Sequence, residues 1–218
     1  MVSEKLLRWL ITLGIVVNGV YLIWIHAILP DQTLKVLAPS AIAISVPLSL
    51  LGIFDRYFWC LPGINKLFAS PPNVQGTWKG EINSHWVNPE TGQTPPPIEV
   101  YAVVRQTYSS INVGMFTKES ASGTLTASIT EKDGKCVIQA LYSNTPDLQF
   151  RSRSPIHHGS FIMQVVGIPP QSLRGSYWTD RGSKGEISFS QRTNLLFDDF
   201  QIAANSTIWN KTDSGFGK

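Results

Sequence analysis

Apolar positions fall along this chain in two regimes, and the change between them divides it. From Leu10 to Leu29 the run LITLGIVVNGVYLIWIHAIL carries no formal charge at neutral pH, and its strongly polar members are Asn18 and His26. As a helix rising 1.5 Å per residue it would be about 30 Å long, the thickness of a bilayer's hydrocarbon core. Val36 to Phe54 (VLAPSAIAISVPLSLLGIF) is a second uncharged run, separated from the first by Pro30 to Lys35 alone. So short a link predicts a helical hairpin that crosses a membrane twice. A cleaved signal peptide would have an apolar region of about 7 to 15 residues and a small-residue cleavage site. His26-Ala27-Ile28-Leu29-Pro30 offers no such site.

Beyond Trp59, Pro62-Gly63 and Ser70-Pro71-Pro72-Asn73 mark a linker. From Val74 the period becomes two. Segments 74–86, 98–108, 111–117, 123–131, 136–142, 156–166, 173–179 and 185–192 alternate or run apolar, with β-branched and aromatic enrichment, and predict eight short strands. Glu131-Lys132-Asp133-Gly134-Lys135 and Asp180-Arg181-Gly182-Ser183 are hairpin signals. Longer Pro- and Gly-bearing loops span 88–97, 144–155 and 167–171. Sequential strands with short turns predict an eight-stranded antiparallel up-and-down barrel, with a β-sandwich as the alternative. The expected organisation is a transmembrane hairpin at 1–60, a linker at 61–73, a barrel at 74–192 and a tail at 193–218. In the tail, Leu195 to Phe200 is enough for a helical turn or two before a frayed Gly- and Ser-containing end.

Basic residues orient the hairpin. Lys5 and Arg8 precede the first span, Lys35 stands alone in the loop, and Arg56 and Lys66 follow the second, which places both termini in the cytoplasm. The sequons at Asn205 and Asn210 are then chance matches. Ala41, Ser45 and Ser49 recur every four residues in the second span, and small side chains let helix backbones approach closely in lipid. That row packs either against the first span or against another copy of the chain.

Composition narrows the function. Charged residues are 15% of the chain and the net charge is +3, too little for a non-specific nucleic-acid coat. The two cysteines, Cys60 and Cys136, cannot build a disulfide scaffold or a four-thiolate metal site, and are read as reduced, buried or interfacial thiols. No nucleophile elbow, Walker loop, dinucleotide fingerprint or His-Glu-x-x-His stretch occurs, so no enzyme, metal or cofactor is expected. His157 and His158 are neighbours on a strand and point to opposite faces, so one ion would not take both. Asp198-Asp199 reads as a solvated face. Between Arg151 and Arg192, however, Arg151, Arg153, Arg174, Arg181, Lys184 and Arg192 face only Asp180 and Glu186, interleaved with Phe150, Tyr177 and Trp178. Guanidinium forks among aromatic faces suit a ligand with bases to stack and phosphates to clamp. A basic rim meeting anionic lipid headgroups is the other reading. On the second strand Tyr101, Arg105 and Thr107 share one face, and alternation does not say whether it looks in or out.

Gly76-Thr77-Trp78-Lys79-Gly80 opens the first strand much as a Gly-x-Trp closes the base of lipocalin barrels, with Trp78 expected as a hydrophobic plug. With the two spans, their minimal loop and the run Gly175-Ser176-Tyr177-Trp178-Thr179-Asp180-Arg181-Gly182-Ser183-Lys184-Gly185-Glu186-Ile187, the chain resembles the two-transmembrane, β-strand-rich CD-NTase-associated effectors of CBASS anti-phage defence. The resemblance extends to about Arg192 and lies more in architecture than in dense motifs. It implies a barrel that binds a cyclic dinucleotide made by a partner cyclase, oligomerisation on binding, and clustered spans that disrupt the inner membrane and kill the infected cell. Tyr177, Thr179 and Arg181 fall on the matching run and are the first candidates for stacking or phosphate contact. Tyr101, Arg105, Thr107, Tyr142 and Arg151 join them on chemistry alone. A membrane-tethered lipocalin-like carrier of a lipid or other apolar molecule is the rival reading, and a scaffold that binds another protein is a third.

Overall fold

The computed structural model describes residues 9, 12–17, 19–21, 23, 24, 45–61 and 71–209. The described parts of 12–24 and all of 45–53 are helical. No helix among the described residues is long and apolar enough to cross a membrane. Much of both expected spans, including Ala41, lies outside the described residues. The described residues form two compact units, one holding 45–61 with the turn Thr107–Ser109, the other holding 71–106 and 110–209.

In the first unit Trp59 is buried against Tyr108, with Leu51 and Phe54 packed around them. The Phe54 and Tyr108 rings meet edge to face at 5.3 Å. The Asp55 carbonyl accepts from Tyr108 N–H at 3.0 Å, and its carboxylate accepts from Ser109 N–H at 2.8 Å. Thr107 belongs to this turn.

The second unit is an antiparallel barrel of β1 (Gly76–Ser84), β2 (Ile98–Gln106), β3 (Ile111–Phe116), β4 (Ser120–Lys132), β5 (Lys135–Pro146), β6 (His157–Val166), β7 (Ser172–Thr179) and β8 (Lys184–Thr193). Neighbours in sequence pair, and β1 pairs β8 to close the ring, which excludes the sandwich. Every strand pairs on both sides, with β3 meeting β4 from Gly114↔Gly123 to Phe116↔Ala121. Asp133 and Gly134 join β4 to β5 with φ of 52° and 70°, the left-handed pair that a two-residue hairpin demands. β4 and β5 extend beyond the expected segments, because their pairing runs on from Lys132↔Lys135 to Ser120↔Pro146.

Alternate residues of every strand fill the interior. Val100, Ala102 and Val104 of β2 join Val113, Ile138, Phe161, Met163, Leu173, Ile187 and Phe189 in one core. One end is sealed by Trp78, fully buried, whose indole N–H donates to the Val74 carbonyl at 2.8 Å. The Arg192 guanidinium lies over its ring at 5.3 Å and donates to the Asn73 and Gln75 carbonyls. Burial lowers the Arg192 pKa. Trp78 is thus the expected plug, and Arg192 serves that closed end rather than a ligand face.

The tail departs from expectation over the residues described. Thr77 Oγ1 donates to the Leu195 carbonyl at 2.7 Å and accepts from Phe197 N–H at 3.0 Å, which lays the chain across the barrel wall. The short helix comes later than the sequence suggested, at Phe200–Ala204, because Asp199 caps it by accepting from Ile202 N–H at 3.1 Å. Trp209 folds back and donates to the Ala203 carbonyl at 2.7 Å. Asp198 pairs with Arg105, so neither aspartate is merely a solvated surface. The expected frayed end at 210–218 lies outside the described residues.

Candidate functional site

Opposite the Trp78 plug, the barrel opens into a cavity of about 680 Å3, within the range of about 300 to 1,000 Å3 typical of small-ligand sites. Its floor is apolar, built from inward residues that include Ile82, Met115 and Ile187. Tyr142 and Tyr177 rise from that floor, and both fit because the residue paired with each on the neighbouring strand is glycine: Tyr142 faces Gly159, and Tyr177 faces Gly185. A Cβ on Gly159 would stand 2.5 Å from the Tyr142 hydroxyl and 2.6 Å from the Trp178 carbonyl, and one on Gly185 would stand 2.8 Å from the Tyr177 ring. The glycines therefore leave space for the rings to lie against the wall. Tyr142 also stacks on Phe161 at 6.0 Å. Burial, with added effects from Tyr177 and Asp180, pushes the Tyr142 phenol up to about 12, so it stays a neutral hydrogen-bonding group. We expect Gly159→Ala to lower stability by about 1–3 kcal/mol through overpacking and to weaken binding in the cavity by displacing Tyr142. Thermal unfolding and ligand titration of the same variant check both effects.

Above the floor runs a polar ring that includes Ser122, Asn144, His157 and Thr179. The β7–β8 turn is held from within, since the Thr179 and Ser183 hydroxyls lie 2.7 Å apart and Thr179 N–H donates to the Ser183 carbonyl at 2.9 Å. Asp180 faces away from that contact and accepts from His158 N–H at 3.0 Å. The turn delivers Arg181 to the rim, where Nη1 donates to Ser154 Oγ at 2.9 Å and lies 3.3 Å from His157 Nδ1. A second cation, Arg153, comes from the loop after β5, over the Phe150 ring at 4.9 Å and 2.7 Å from the Glu119 carboxylate. Lys118 also lines the cavity. The remaining lining acid, Glu99, is already occupied, accepting from the Tyr101 hydroxyl at 2.8 Å and pairing with Lys79 at 3.1 Å. Partial burial alone would raise the Glu99 carboxyl, but these contacts outweigh it and leave the group below the usual carboxylate value. The Tyr101 phenol is held well above its ordinary value, mostly by burial and then by Glu99.

Of the residues singled out from sequence, the structure brings Tyr142, Tyr177, Thr179 and Arg181 together at this mouth. It places the other four elsewhere. Tyr101 and Arg105 lie on the outer face of β2, opposite in parity to the buried interior residues Val100, Ala102 and Val104. There Tyr101 packs against Phe200 and Trp209 of the tail. Arg105 is half-exposed and paired with Asp198. Thr107 lies in the turn of the first unit. Arg151 turns back to donate to the Pro146 carbonyl at 3.0 Å. The basic cluster between Arg151 and Arg192 is likewise divided, since of its members only Arg153 and Arg181 line the cavity. Sequence reading counted Phe150 and Arg153 in its basic and aromatic patch without choosing them as site residues, and it passed over Asn144, His157, Gly159 and Gly185. Gly185 stood in the quoted run, but its service to Tyr177 required the register. Among the described residues no group of three or more His, Cys, Asp or Glu side chains could hold a metal ion.

The architecture is thus a closed eight-stranded antiparallel β-barrel, plugged at one end and opening at the other onto tyrosines, a polar ring and two guanidinium groups. Residues 69–191 match the family described as Cap15, cyclic dinucleotide receptor domain. The chain is also 24% identical over 134 residues to CD-NTase-associated protein 15 of Staphylococcus schleiferi, an alignment covering 62% of this chain and 68% of the relative. The chain belongs to the Cap15 cyclic dinucleotide receptor family, and the resemblance to a CBASS effector holds.

Proposed function

We propose that the mouth of the barrel binds a cyclic dinucleotide released by a partner cyclase during phage infection, and that binding drives the chain to kill its own cell at the inner membrane. One arrangement carries the reading: two tyrosines and two arginines converge on a cavity of ligand size. A cyclic dinucleotide presents two bases and two phosphodiesters, which match stacking faces and guanidinium forks. Tyr142 and Tyr177 are assigned to the bases, and Arg181, Thr179 and Arg153 to the phosphates. A carrier of apolar cargo would need an oily interior without convergent cations, and the lining by Lys118, Arg153 and Arg181 counts against it. The step is binding and assembly, with no bond made or broken.

The N-terminal segment is assigned to the bilayer as a two-span hairpin, with both termini and the barrel in the cytoplasm. Exposed Ile15, Val16, Val20, Ile23 and Leu48 on its described helical residues support this, since such a surface needs lipid or protein to cover it. Ligand binding shifts the chain toward a homo-oligomer only in so far as the assembled state binds more tightly. The spans then cluster through the row of Ala41, Ser45 and Ser49, of which Ser45 and Ser49 are exposed. Ser45→Leu is expected to abolish killing while the unassembled chain still binds the ligand. Retained killing would rule out clustering through that row. The central test titrates the full-length chain in detergent with 3′,3′-cyclic di-AMP, cyclic di-GMP and cyclic di-UMP, and then follows dye release from liposomes carrying it. Saturable binding with ligand-dependent release is expected, and no binding to any of the three would overturn the reading.

A further inference from the structure

The two arginines at the mouth are not equivalent. Arg181 is held by a neutral hydroxyl, Ser154 Oγ, and no carboxylate lies within ion-pair distance of it among the described residues. Arg153 is engaged by a carboxylate, Glu119, at 2.7 Å. Both arginines and Glu119 line the cavity. We propose that Glu119 is a built-in competitor for one of the ligand's two phosphates, holding the Arg153 guanidinium until a phosphodiester displaces it. The inference rests on the reading that the cavity takes a cyclic dinucleotide.

Several observations make the exchange feasible. The Glu119 and Arg153 side chains are 47% and 62% exposed, so their attraction is screened and the released carboxylate returns to water. Arg153 stays aimed without its partner, because its guanidinium rests on Phe150 and the loop is tied by Ser154 N–H to the Phe150 carbonyl at 2.9 Å. The turn carrying Glu119 is likewise independent of the carboxylate. Thr117 N–H donates to the Ser120 carbonyl at 2.9 Å, the two hydroxyls lie 3.1 Å apart, and Asp147 N–H donates to the Glu119 carbonyl at 2.9 Å. A phosphodiester offers the planar guanidinium the same two-oxygen fork as a carboxylate. The exchange therefore trades one anion for another at the same guanidinium.

The consequence is an asymmetric receptor. One phosphate meets a cation without an acidic partner at Arg181, and the other must first evict an acid. Ordinary singly anchored anions then gain little at Arg153, which raises the threshold for occupancy of the whole cavity.

The test is a double-mutant cycle on the full-length chain in detergent, titrated with the same three cyclic dinucleotides. Glu119→Gln keeps the shape of the side chain and should tighten binding about two- to fivefold, in line with the release of an exposed ion pair. Arg153→Ala should weaken binding, and Glu119→Gln should add nothing in the Arg153→Ala background. Glu119→Ala should act in the same direction as Glu119→Gln, with an unchanged far-ultraviolet circular dichroism spectrum. Wild-type binding with no gain in either Glu119 variant overturns this inference and leaves the ligand reading intact. A gain that persists without Arg153 also overturns it, because the carboxylate would then act through its general field. Absence of binding in the wild type overturns the ligand reading and this inference together.

Discussion

Arg181→Ala will reduce affinity for the cyclic dinucleotide by about 10- to 100-fold, the loss expected when a charged hydrogen-bond donor of about 1.5–3 kcal/mol is removed. The size follows from the position of the guanidinium. It sits on the cavity rim, fixed by Ser154 and the internally bonded β7–β8 turn, and so loses little freedom on binding. Tyr177→Ala should cost a similar amount, since stacking is worth about 1–3 kcal/mol per base. Arg174→Ala is the control. Arg174 lies one strand position out of phase with Leu173, Gly175 and Tyr177, is exposed on β7, and does not line the cavity. Calorimetric or fluorescence titration of the three variants decides the matter. Unchanged affinity in both Arg181→Ala and Tyr177→Ala, with intact folding, removes those residues from the site.

Trp78→Ala should destabilise the barrel by about 3–5 kcal/mol, the usual cost of emptying a large buried aromatic site. Against a total of about 5–15 kcal/mol for a domain, that is a large fraction. The loss is concentrated at one place. Trp78 is fully buried, ties Val74 through its indole N–H, and supports Arg192, which in turn holds the Asn73 and Gln75 carbonyls. Its removal leaves a half-buried guanidinium above a void. Urea unfolding followed by circular dichroism should show the midpoint falling sharply, while Trp78→Phe recovers part of the loss. A midpoint within experimental error of the wild type would mean that the closed end does not depend on the plug.

How far the barrel can be read from residues alone depends on which interactions are local. All eight strands arise where period-two alternation meets β-branched and aromatic residues. Asp133-Gly134 dictates its own turn, because its backbone conformation is a local preference. Trp78 as a plug and the placing of Tyr177, Thr179 and Arg181 on one short segment are also legible, since Tyr177 and Thr179 share parity and Arg181 follows in the adjoining turn. The two cysteines read alike as buried or interfacial thiols, yet Cys60 is exposed and Cys136 half-buried, where burial, then the charge of Glu131, raises its pKa to about 11.

Alternation assigns residues to two faces but does not name the inner one, so Tyr101 and Arg105 stood equally well inside or out. The tail resolved this by an interaction distant in the chain: Phe200 and Trp209 cover Tyr101, and Asp198 takes Arg105. Loop cations are harder still. Arg151 and Arg153 are two residues apart and chemically alike, yet one turns to the Pro146 carbonyl and the other pairs with Glu119 of the adjoining β3–β4 turn. The same holds for Gly159 and Gly185, whose value to Tyr142 and Tyr177 exists only through cross-strand register. Residue order, then, was enough for strands, turns and the plug, because those follow from conformational preference and the burial of apolar surface. Membership of the cavity belonged to the closed barrel, because it depends on pairings between segments far apart in the chain.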